Sequence, residues 1–138
     1  LTLGAYTGNP AFRRQAEQVW GAARLWLERA PSAVGHLLAG LVTARGAQRQ
    51  LAVVGSPQDP GTLALLAVDE GEYRPGLVIA RGDGARDGGV PLLAGRVLRA
   101  GKPAAYLCDD LACSSPTDDP AELSHLLSGP FPVARPGA

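Results

Sequence analysis

Apolar residues recur at spacings of three and four through "GNPAFRRQAEQVWGAARLWLERAP". Phe12, Ala16, Val19, Trp20, Ala23, Trp26, Leu27 and Ala30 then share one face, the pattern of an amphipathic helix. Asn9 is placed to cap this helix. Pro10 takes the first helical position, where its missing N–H costs nothing. Pro31 ends the pattern, and Ser32 can cap a second helix that turns Val34, Leu37, Leu38, Leu41 and Val42 to its buried side. The link is so short that the two helices should form an antiparallel hairpin. Leu25 lies off the main stripe, so such a hairpin should present a second apolar face.

The period then changes. "QLAVVG" (50–55), rich in Val, "GLVIARG" (76–82) and "AAYLC" (104–108) are short apolar runs that read as buried strands. Between the first two, Asp59 and Pro60 open a helix that runs to about Glu70. Strand, helix and strand in so few residues predict a right-handed βαβ unit. None of the three runs alternates, which predicts mutually parallel strands covered on both faces. "DGARDGG" reads as a loop, and "VPLLAGRVLRAGKP" as a turn or two of helix and then a turn. "PTDDPAELSHLL" repeats the cap-then-proline device at Asp119 and Pro120. The predicted class is therefore α/β: a helical hairpin over 1–46, a small α/β unit over 47–128 with a three-stranded parallel βαβ-type sheet, and a flexible Pro/Gly-rich tail over 129–138.

Composition narrows the function classes. A chain of 138 residues is enough for one domain with its own core. Thirteen basic and thirteen acidic residues cancel, so the electrostatic footprint of a nucleic-acid or anionic-membrane binder is missing. The longest apolar runs, such as "LALLAV", are too short to cross a bilayer. Two cysteines are too few for a disulfide scaffold and suit a reducing cytoplasm. The chain starts at Leu1 without methionine and reads as a piece of a longer protein. The expected partners are the remainder of that parent protein and a second copy through the exposed hairpin; neither nucleic acid nor membrane is expected.

Candidate chemistry is sparse. "GSPQDPGT" stands where a phosphate loop would stand, but five residues separate Gly55 from Gly61 and no Lys precedes Thr62. An ordinary strand-to-helix turn capped by Asp59 accounts for it, with an anion at that helix N-terminus left open. His36 and His125 each stand alone, and a histidine needs a placed partner to do chemistry. The two cysteines lie in "AYLCDDLACSSP". With both histidines they would make four zinc ligands, but the spacing matches no finger. A redox pair of Cys108 and Cys113 is an alternative, although redox sites favour Cys-x-x-Cys, and Asp109 and Asp110 oppose a thiolate. A disulfide across a loop is a third reading. The residues favour a fourth: Cys108 buried at a strand end, facing opposite to Leu107, and Cys113 packed as a small hydrophobe. No catalytic residue, metal or cofactor is expected.

"GKPAAYLCDDLACSSPTDDPAEL" resembles the C-terminal signature of the YyaL-like, spermatogenesis-associated thioredoxin-domain-containing family. That signature runs G-K-P-x-A-Y-x-C-x-x-x-x-C-x-x-P-x-x-x-P-x-x-L. It is matched at Gly101, Lys102, Pro103, Ala105, Tyr106, Cys108, Cys113, Pro116, Pro120 and Leu123. The upstream order, "RAPSAVGHLLAGL" and then "QLAVVG" and "DPGT", is similar too. The resemblance implies a thioredoxin-like domain followed by an α/α toroid, like those of N-acylglucosamine epimerases and six-hairpin glycosidases. This chain would be the last toroid hairpin plus the terminal α/β segment. The family's Cys-x-x-Cys motif and most of the toroid are absent from it, so the resemblance supplies no catalytic residue. It implies a structural or docking module.

Overall fold

Three helices start on the same local device. The side-chain oxygens of Asn9, Asp59 and Asp119 accept from backbone amides one turn on, and a proline follows each cap. The computed structural model describes residues 1–46, 48–84, 88–109 and 112–129. The centre of the "DGARDGG" loop, Asp110 and nearly all of the predicted flexible tail lie outside them.

Helix α1 (Thr2–Thr7) comes first, then α2 (Pro10–Ala22), α3 (Arg24–Arg29), a 3₁₀ turn (Pro31–Val34) and α4 (Gly35–Arg45). Strand β1 (Arg49–Val54), helix α5 (Pro60–Glu70) and strand β2 (Leu77–Gly82) follow. A second 3₁₀ turn (Pro91–Leu93), β3 (Ala104–Asp109), β4 (Ala112–Cys113) and α6 (Pro120–Ser128) complete the chain.

The strands form one sheet in the order β2-β1-β3-β4. β1 and β2 are parallel, with Leu51 opposite Ile79. β3 is antiparallel to β1, with Leu51 opposite Leu107, and β4 is antiparallel to β3. This corrects the expectation of three mutually parallel strands. A parallel third strand needs the chain to return along the whole sheet, usually through a helix. Among the described residues the connection after Gly82 holds no helix beyond the three-residue 3₁₀ turn, so it stays at the end of the sheet where β2 finishes. β3 starts there, with Ala104 opposite Val54, and runs back. Lack of alternation reported burial on both faces for β1 and β3, while β2 alternates between buried and partly exposed positions; it does not report strand direction.

Both faces of the sheet are covered. Leu51, Val53, Ala105 and Leu107 meet Leu65 and Leu66 of α5 and Leu123 and Leu127 of α6. On the other face Ala52, Val54, Ala80, Ala104 and Cys108 meet Leu92 and Leu93, with Tyr6 of α1 packed against them. Tyr6 donates its hydroxyl to the Ile79 carbonyl at 2.6 Å. Each fully buried Leu here contributes about 1.5–3 kcal/mol, so stability is concentrated around this sheet.

The hairpin is different. None of the residues of α2, α3 or α4 is buried. Trp20 of α2 donates to the Leu37 carbonyl at 3.2 Å, and Arg13 to the Ala44 carbonyl at 3.4 Å, which fixes an antiparallel pairing of α2 and α4. The predicted first helix is interrupted at Ala23, beside Gly21, a residue that weakens a helix by about 1 kcal/mol relative to Ala. Ser32 falls inside the 3₁₀ turn, and Val34 precedes α4 with no side-chain cap.

Candidate functional site: a cross-strand disulfide and its arginine

Cys108 ends the buried part of β3, and Cys113 lies directly opposite it on β4. Next to them the Ser114 amide donates to the Leu107 carbonyl at 2.8 Å. Beside such a bond, facing side chains of antiparallel strands come closest. The sulfurs are joined, with an S–S distance of 1.98 Å, and no cysteine is free. This corrects the preference for two packed thiols and realises the disulfide reading. A spacing of five becomes bridgeable because antiparallel pairing of β3 and β4 puts both residues in register, which the sequence did not announce. Cys108 has no exposure and shares its face with Tyr106, opposite to Leu107, as expected; Cys113 is half-buried.

Sequence reasoning missed Arg96. Its Nη2 lies 2.7 Å from Cys113 Sγ and 3.9 Å from Cys108 Sγ. Several contacts place it. Leu92 and Leu93 anchor the 3₁₀ turn in the core, and the Arg96 amide donates to the Leu93 carbonyl at 3.0 Å. Arg96 Nη1 donates to the Ala94 carbonyl at 2.5 Å. One residue on, the Tyr106 hydroxyl donates to the Val97 carbonyl at 2.7 Å and accepts from the Val97 amide at 3.3 Å. A guanidinium fixed beside sulfur favours the thiolate over the thiol whenever the bond opens. The only advance signal was one of two arginines in an ambiguous segment, seventeen residues from Cys113.

The other candidates stay apart. His36 and His125 are exposed on α4 and α6. Among the described residues no group of three His, Cys, Asp or Glu side chains is gathered as for a metal ion. Among the same residues no helix is long and apolar enough to cross a membrane. A crevice of about 560 Å³ opens beyond the carboxyl ends of β1 and β2, lined by Val53, Gly55, Thr62, Leu66, Gly82 and Leu93 among others. It is no anion site at the start of α5. The Asp59 carboxylate already accepts from the Gly61 amide at 2.7 Å and the Thr62 amide at 3.2 Å.

Most of the residues that carry the resemblance have a structural task. Gly101 takes a positive φ of 78° in the tight turn between Arg99 and Lys102. Pro103 packs against Gly55 and Gly61. Tyr106 holds the Arg96 loop, Cys108 and Cys113 staple β3 to β4, and the Pro116 carbonyl accepts from Arg99. Pro120 starts α6, and Leu123 is fully buried beneath it.

Comparison with known proteins agrees with that signature. The chain is similar to spermatogenesis-associated protein 20 of Homo sapiens, 27% identical over 131 residues, 92% of this chain and 17% of that protein. The proteins of the same name from Mus musculus and Rattus norvegicus are 27% and 29% identical over the same share. The chain therefore spans about a sixth of the length of the curated relatives it matches. No family model matches it. No solved structure matches it either.

Proposed function

We propose that this chain is a non-catalytic C-terminal structural and docking module of a longer thioredoxin-domain-containing, toroid-type protein. One observation carries the reading: an unfilled apolar surface on a helical hairpin attached to a well-filled α/β unit. Val19 on α2, Leu25 and Trp26 on α3, and Val42 on α4 are each more than half exposed, Trp26 at 60% and Val42 at 70%. Large exposed apolar side chains on consecutive helices mark a contact surface. The remainder of the longer protein is the occupant, because the similarity covers nearly all of this chain but a small fraction of its relatives. The structural tasks of the signature residues support the same reading. Balanced charge argues against nucleic acid or an anionic membrane as the partner, whereas the cysteine argument for a reducing cytoplasm does not carry over to a bonded Cys108–Cys113 pair.

Trp26→Asp tests it. In the chain alone the substitution leaves the melting temperature unchanged, because the ring is already exposed. In the longer protein it frees the hairpin for proteolysis. Equal protease resistance of the longer protein with and without the substitution overturns the reading. Sedimentation of the chain alone separates the second occupant: a dimer abolished by Trp26→Asp would assign the surface to a second copy instead.

A further inference from the structure

We propose that Cys108–Cys113 is an exchangeable disulfide, opened by a dithiol that attacks Cys113 while Arg96 stabilises the thiolates that form. The inference stands independently of the docking reading. Cys108 has no exposure, so Cys113 is the sulfur a reductant reaches. The guanidinium lies against both sulfurs, 2.7 Å from one and 3.9 Å from the other. It attracts the incoming thiolate, then stabilises each leaving one. The thiolate of the dithiol bonds to Cys113 Sγ as the Cys113–Cys108 bond breaks, and Cys108 leaves with the electron pair. The second thiol of the reductant, deprotonated to solvent, then attacks its own sulfur in the mixed disulfide. It closes the oxidised dithiol and releases Cys113. Two electrons pass from the dithiol to the cystine, and the two protons match those the dithiol lost. Opening removes the covalent hold on β4, which pairs with β3 at Cys108–Cys113 and Asp109–Ala112 and is continued by the Ser114 amide on the Leu107 carbonyl and by the Ala105–Thr117 bridge. Exchange therefore decides whether this sheet edge is held covalently or by backbone hydrogen bonds alone.

Dithiothreitol is the probe, with alkylation and mass spectrometry counting the opened cysteines in the folded chain over time. The wild-type bond is expected to open well ahead of global unfolding followed by circular dichroism. Arg96→Gln should open about tenfold more slowly, the lower end of what a charge within contact distance does to a thiolate. Arg96→Lys should recover most of the rate. Opening no faster than unfolding, or an unchanged rate in a folded Arg96→Gln chain, overturns the proposal. Cys108→Ser gives a reading that does not need Arg96 to be replaced. Its lone Cys113 should alkylate at lower pH than free cysteine, and a free-cysteine profile would contradict the role of Arg96.

Discussion

Among the described glycines Gly55 leaves the least room for a side chain, and Gly55→Ala measures how rigidly β1 and α5 meet. A Cβ added there would lie 2.2 Å from Thr62 Oγ1 and 2.9 Å from the Pro103 Cβ. Neither neighbour yields easily. Thr62 is 3% exposed in the first turn of α5, and that helix is anchored by Leu65 and Leu66. Pro103 is a ring fixed just before β3. Overpacking of this kind costs about 1–3 kcal/mol. For 138 residues each kcal/mol lowers the melting temperature by about 3–4 °C, so a drop of roughly 3–12 °C follows. Thr62→Ala should restore much of it, because it removes the nearest atom, a buried hydroxyl without a hydrogen-bond partner. A double-mutant cycle followed by thermal denaturation should give a coupling of about 0.5–3 kcal/mol. Melting of Gly55→Ala within the error of wild type, or additive effects in the double variant, would refute the packing argument.

Other substitutions test separate parts of the structure. Replacing Cys108 and Cys113 together by Ser removes a crosslink of sequence separation 5; chain entropy puts the loss at about 2 kcal/mol, read by urea denaturation. Leu123→Ala, at a fully buried position against both α5 and the sheet, should cost about 3–5 kcal/mol in the same assay. Ala100 has a φ of 50° beside Gly101 in a two-residue turn, where glycine or asparagine is preferred. Ala100→Gly should therefore raise stability by about 0.5–1 kcal/mol in a thermal melt.

Much of this fold is legible wherever a local rule suffices. The caps at Asn9, Asp59 and Asp119 form as their cap-then-proline spacing predicts, because capping depends on residues within one turn. The parallel pairing of β1 and β2 follows from a crossover that contains a helix. The direction of β3 was illegible, since it depends on a connection whose path is set by packing of Leu92 and Leu93 on the sheet. Helix α1 was missed because its sequence carries one strong anchor, Tyr6, whose partner lies in β2. The site shows the same division. Cys108 and Cys113 stood out by spacing, but their register is set by the antiparallel pairing of β3 with a two-residue strand too short to read from its sequence. Arg96 reaches them only through tertiary contacts made by Leu93 and Tyr106.

Hydrogen exchange tests the docking account most directly. In the chain alone, amides of β1 should be the slowest to exchange, because the strand is buried and paired on both sides. Amides of α2, α3 and α4 should be among the fastest, because no residue of those helices is buried. In the longer protein, exchange across α2 to α4 should slow by at least about tenfold, the signature of more than 1.4 kcal/mol gained through a covered face. Identical exchange of the hairpin in the isolated chain and the longer protein would contradict the claim that this surface is a docking face.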